Sequence, residues 1–138
     1  MLEIINFWAL PLLQILIALG LINVWVFRFA RATEYRGAGA KNMKEEFAVY
    51  GLPSWFLYVV GFFKLIIALV MILSLVITNF NLVITVYALM LLSVLMLGAI
   101  GMHLKVKDPM MKMLPALLML AMALTSLYLI GVFGIYIG

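Results

Sequence analysis

The chain has no cysteine and a single histidine. Disulfides, CxxC redox chemistry, cysteine-ligated zinc and iron–sulfur clusters are thereby excluded within it, as is a two-histidine haem or metal site from one copy. Charge is also scarce. Asp, Glu, Lys and Arg make up 10% of 138 residues, where a soluble domain carries about 25%. No glycine-rich phosphate loop, Ser/His/Asp set or intramembrane carboxylate pair is found. Apolar residues fill the space instead, at 69% of the chain with a mean hydropathy of +1.30.

Four apolar segments account for this, at about 7–27, 55–78, 82–102 and 113–137. Each exceeds the roughly 20 residues that a helix needs to cross about 30 Å of hydrocarbon. A backbone in lipid has no water partner, so each segment is expected to be helical. The period-2 alternation of a barrel strand is absent. The expected fold is an all-α membrane protein, a bundle of four transmembrane helices forming one domain over residues 1–138. The first segment reads as a retained helix and not as a cleaved signal, because Glu3 precedes it and positive charge follows it.

The longest connection covers residues 28–53. Within it Met43, Phe47 and Tyr50 recur at i, i+4 and i+7, with Lys41, Lys44 and Glu45 opposite. This pattern predicts a short amphipathic helix in the interface plane, stopped by Gly51 and followed by Pro53 at the start of the next span. Asn79, Phe80 and Asn81 form a tight turn. Pro115 is expected in the first turn of the fourth span, where its missing N–H costs little.

Basic residues set an orientation. Arg28, Arg31, Arg36, Lys41 and Lys44 lie in the first connection, and Lys105, Lys107 and Lys112 lie between the third and fourth spans. This face should be cytoplasmic, which puts both termini outside a plasma (inner) membrane. The pI of about 9.5 follows from this asymmetry. It is no nucleic-acid footprint, since there is no soluble basic surface to hold a duplex.

Lys64 interrupts the second span roughly 13 Å into the membrane. A lysine there costs about 2.5–3.5 kcal/mol, which the surrounding Leu, Ile, Val and Phe can absorb. Its stem can snorkel toward the interface, or its ammonium can serve a site. The ammonium can rise to about 7 Å below the interface, the depth of Asn23, while Arg28 ends the first span and His103 ends the third. Helix direction allows Asn23, Arg28, Lys64 and His103 to converge as a ligand- or anion-binding layer. Each has a simpler role available: an interhelical hydrogen bond for Asn23, an interfacial anchor for Arg28, and an ordinary interfacial position for His103. Met102, Met110, Met111 and Met113 near His103 offer soft ligands to Cu(I), but such thioethers more often fill gaps between helices, and no metal is expected. Gly134 and Gly138 have the spacing of a helix-pairing motif, which would fit a homo-oligomer.

Gly61-Phe62-Phe63-Lys64, the stretch from Glu46-Phe47 to Gly51-Leu52-Pro53, and His103-x4-Asp108-Pro109-x2-Lys112 together resemble the DoxX-like family of four-helix membrane proteins. The likeness covers most of the chain. It implies that Gly61, Asp108, Pro109 and Lys112 are motif residues and that Arg28 is the basic residue ending the first span. The family carries Glu where Lys64 stands, so any mechanism built on that carboxylate is in doubt here. Two cations in low dielectric repel. The departure therefore implies either a neutral Lys64 or an anion between Lys64 and Arg28, with Glu34, Glu46, Asp108, a lipid phosphate or an anionic ligand as candidates.

The resemblance implies several activities on one fold: quinone-linked sulfur oxidation, membrane complexes with redox partners, and receptor assembly. The fold alone selects none. The expected function is a non-catalytic accessory or assembly subunit for another membrane component. One alternative is a subunit of a quinone-linked oxidoreductase, with Arg28, Lys64 and His103 polarising a quinone carbonyl. Another is a small transporter or lipid-binding protein. The expected partners are the lipid bilayer and a membrane protein. Quinone is the one cofactor the resemblance suggests.

Overall fold

A computed structural model describes the backbone of residues 2–137 and the side chains of residues 7–131. Gly138 lies outside the described residues, and with it the Gly134/Gly138 spacing. Five α-helices follow in chain order: α1 (Leu2–Ile22), α2 (Met43–Val49), α3 (Ser54–Val76), α4 (Leu82–Lys105) and α5 (Met110–Ile137). Four are long and apolar enough to span a membrane. With α2 between α1 and α3, this is an all-α membrane bundle. Each long helix packs against two others, α1 and α4 both lying between α3 and α5.

The bundle centre is built from Ile17, Leu21, Ile67, Met71, Leu89, Leu92 and Met119, with Ala18, Ala68, Ala88 and Ala123 between them. Lipid tails are as apolar as these side chains, so close van der Waals packing, not water exclusion, holds the helices together. Small residues permit that closeness. A Cβ at Gly20 would lie 2.8 Å from the Met119 methyl, where α1 meets α5. Ser93 and Ser126 are buried but donate to Leu89 and Met122 carbonyls in their own helices, at 2.9 and 2.7 Å. Large apolar side chains such as Phe7, Phe62, Val76, Val94 and Tyr128 point outward, as lipid contact requires.

Local signals set the helix ends. Asn42 caps α2 by accepting the Glu45 N–H at 2.8 Å. Gly51, at φ +77°, closes it in a Schellman turn. There the Gly51 N–H reaches the Ala48 carbonyl and the Leu52 N–H reaches that of Phe47, both at 3.0 Å. Asn81 caps α4 through the Val83 N–H at 2.9 Å. One expectation is corrected. α5 begins at Met110, so Pro115 stands in its second turn, where its ring removes the helical donor to the Met111 carbonyl.

The end of α1 departs from α-geometry. Asn23–Phe27 forms a π-turn, closed by the Arg28 N–H on the Asn23 carbonyl at 2.9 Å. The wider turn keeps Trp25 buried and carries Arg28 out of the α-helical register.

Candidate functional site

The polar residues at the basic end of the bundle form a circuit that begins and ends at Arg36. Its guanidinium is 4% exposed. Through Nη1 it pairs with Glu46 Oε2 at 2.9 Å and touches Met43 Sδ at 3.3 Å. Through Nη2 and Nε it donates to the Arg28 carbonyl and, at 3.1 and 3.2 Å, to the Arg31 carbonyl. Arg36 thus binds the carbonyls that follow α1 and ties them to α2.

Glu46 also accepts the Gly37 N–H at 3.2 Å and the Tyr50 hydroxyl at 2.8 Å. A Cβ at position 37 would strike the Tyr50 ring at 2.6 and 2.7 Å, so only glycine lets the backbone come this near. Burial and the Glu46 carboxylate push the Tyr50 hydroxyl well above its usual 10.0, which keeps it a donor. That hydroxyl lies 3.4 Å from both nitrogens of His103, whose ring stands edge-on to Tyr50.

His103 Nδ1 lies 2.7 Å from Asp108 Oδ2. The second carboxylate oxygen accepts the Ala38 N–H at 3.0 Å and stands 3.9 Å from Lys112 Nζ. Burial works to raise the Asp108 carboxyl. The His103 and Ala38 hydrogen bonds, with the positive charge of Lys112, outweigh it and hold Asp108 below its usual 3.8. Lys112 donates to the Arg36 carbonyl at 2.8 Å and so closes the circuit. Lys105 adds a strap, donating to the Tyr50 carbonyl at 2.8 Å. The loop after α1 and the short α2 are joined in this way to the end of α4, the α4–α5 connection and the start of α5.

A second feature lies deeper. Lys64 is 9% exposed, and its ammonium stands 4.8 Å from the centre of the Trp25 ring. No hydrogen bond or ion pair joins Lys64 to another of the described residues. One turn before it, a Cβ at Gly61 would lie 2.9 Å from Trp25 Cε3 and Cζ3. Gly61 and Lys64 therefore frame one indole, which the π-turn delivers between α1 and α3.

Of the four residues expected to converge, the structure places His103 in the circuit and Lys64 on Trp25. Asn23 and Arg28 are exposed, Arg28 because the π-turn rotates it outward. The motif residues Gly61, Asp108 and Lys112 all make specific contacts, and Pro109 starts α5 by accepting the Lys112 N–H at 3.0 Å. Arg36 and Glu46 are central; Arg36 stands out in the sequence by neither type nor spacing, whereas Glu46 opens one of the family-like stretches. Glu46 did leave a signal. It falls at i+3 from Met43 and i−4 from Tyr50, an acid on the apolar face of an amphipathic helix.

The fold and this latched basic end define a four-helix membrane bundle with its polar loops fastened together at one end. A model of the DoxX-like family matches residues 12–126. The chain belongs to that family. No curated protein and no solved structure matches it.

Proposed function

We propose that the protein is a non-catalytic accessory or assembly subunit of another component of the plasma membrane, with its basic end in the cytoplasm and both termini outside. The observation that carries this reading is the closed circuit through Arg36, Glu46, Tyr50, His103, Asp108 and Lys112. Each of these side chains is engaged by another part of the same chain. The circuit holds the first loop in one shape, and a fixed loop surface suits docking against a partner at low entropic cost. The exposed basic residues Arg28, Arg31, Lys41 and Lys44 favour the cytoplasmic side for this end.

The quinone-linked alternative has less support. It needs Arg28, Lys64 and His103 on one carbonyl. Arg28 is exposed, Lys64 stands over Trp25, and His103 is engaged by Asp108 and Tyr50.

Native mass spectrometry of protein gently extracted from its own membrane tests the reading. A second polypeptide in fixed stoichiometry, weakened by Glu46→Gln, is the expected result. A chain that leaves the membrane alone with a retained quinone would overturn it.

A further inference from the structure

An apolar groove of about 310 Å³ runs down the lipid-facing side of α3 beside the π-turn. Trp25 and Phe29 form one wall, and Tyr58, Gly61, Phe62 and Leu65 form the other. Tyr58, Phe62 and Leu65 are 57%, 62% and 38% exposed, so the groove opens sideways into the bilayer. From Tyr58 to Leu65 it descends about 11 Å at 1.5 Å per residue. One leaflet of hydrocarbon is about 15 Å deep. The groove therefore has the length and polarity of an acyl-chain slot.

Its mouth lies beside Phe27 and Ser54, the ends of two membrane spans, where headgroups are expected. Phe27, Trp55 and Tyr58 are all exposed there and form an aromatic belt. Phe29, at the mouth, has Arg28 immediately before it and Arg31 two residues after it. Both arginines are exposed, and neither has an ion-pair partner among the described residues. Their backbone is held in place, because the Arg31 N–H bonds the Arg28 carbonyl at 3.1 Å and Arg36 binds both carbonyls. Two exposed arginines whose backbone is fixed beside Phe29, a wall of the apolar slot, match a negative headgroup on an acyl chain.

We propose that this groove holds one acyl chain of an anionic phospholipid whose phosphate is bound by Arg28 and Arg31. The Trp25 indole, packed on Gly61, is the inner wall against which the chain lies. The inference does not depend on the accessory reading, since it concerns a lipid that the isolated chain binds by itself.

The test uses the full chain in zwitterionic nanodiscs with Trp8→Phe and Trp55→Phe. Both tryptophans are exposed, and their replacement leaves Trp25 as the sole indole. Small mole fractions of acyl-brominated phosphatidylglycerol or phosphatidylcholine then serve as quenchers. The phosphatidylglycerol is expected to quench Trp25 at lower mole fraction. Its preference should fall about fivefold for each arginine removed by Arg28→Gln and Arg31→Gln. Lys107→Gln, equally exposed but on the α4–α5 connection, should leave the preference intact. Equal quenching by the two lipids in the parent overturns the proposal, as does quenching by neither, which would mean that another occupant fills the groove. Loss of preference in the lysine variant as large as in the arginine variant also overturns it, by reducing the effect to general surface charge.

Discussion

Glu46 and Asp108 lie on different elements, yet they accept hydrogen bonds from consecutive backbone N–H groups, Gly37 to Glu46 at 3.2 Å and Ala38 to Asp108 at 3.0 Å. The loop after α1 is thus gripped by one carboxylate from α2 and one from the α4–α5 connection. Ala38, whose N–H Asp108 accepts, sits at φ +51°, in the left-handed region. The residues that grip the loop also satisfy Arg36, His103 and Lys112, so loosening any one of them affects the others.

Glu46→Ala removes the partner of a buried guanidinium, leaves the Gly37 N–H without an acceptor and takes from the Tyr50 hydroxyl its 2.8 Å acceptor. Breaking a buried pair from one side costs about 3–5 kcal/mol. A clear fall in melting temperature in detergent is expected, with Glu46→Gln milder because its amide oxygen still accepts. A Glu46→Ala protein that melts with the parent would show that the pair contributes nothing.

The Asp108 and Tyr50 shifts give opposite pH dependences. Asp108 is depressed in the folded state, so its contribution is complete above 3.8 and is lost as pH falls through the lower folded value. Tyr50 is raised, so its contribution is complete below 10.0 and declines as pH rises beyond that value. Melting curves of the parent should weaken at both extremes. Asp108→Asn should flatten the acid limb alone and Tyr50→Phe the alkaline limb alone. Unchanged limbs in both variants would contradict the assignment.

Gly61→Ala places a methyl 2.9 Å from the Trp25 ring, whereas Gly98→Ala in α4 meets nothing within 4 Å. Overpacking of this kind costs about 1–3 kcal/mol. Gly61→Ala should lower the melting temperature and shift Trp25 emission, and Gly98→Ala should do neither. Equal behaviour of the two would place the indole elsewhere.

The four spans are legible because hydrocarbon thickness demands long apolar runs, and those runs dominate residues 7–137. The buried face of α2 is legible for a similar reason: Met43, Phe47 and Tyr50 repeat at helical spacing, between an Asn that caps and a Gly that turns. The circuit is harder to read. Arg36 lies in a loop with no period, and its partners come from α2 and from the carbonyls behind α1. The π-turn is invisible to hydropathy because the widened turn changes no residue type. It rotates Arg28 outward all the same, a change that the direction of the helix and the depth of the residue do not register.

Lys64 offers a balance of two terms. The contact with Trp25 is worth about 0.5–2 kcal/mol. Carrying a lysine at this depth costs about 2.5–3.5 kcal/mol. Lys64→Leu is therefore expected to leave the melting temperature unchanged or to raise it. A marked fall, with release of a co-purified anion, would instead establish an anionic ligand on the ammonium.

The latch itself is most directly measured as a distance. The chain has no native cysteine, so spin labels can be placed cleanly at Lys41→Cys and Met111→Cys, two exposed positions on the segments that the circuit joins. Pulsed electron–electron resonance in nanodiscs should give one narrow distance in the otherwise unaltered chain and a broad distribution once Glu46→Ala and Asp108→Ala are added. A distribution already broad without those two changes, or one that stays narrow with them, would show that the circuit does not hold the first loop to the α4–α5 connection.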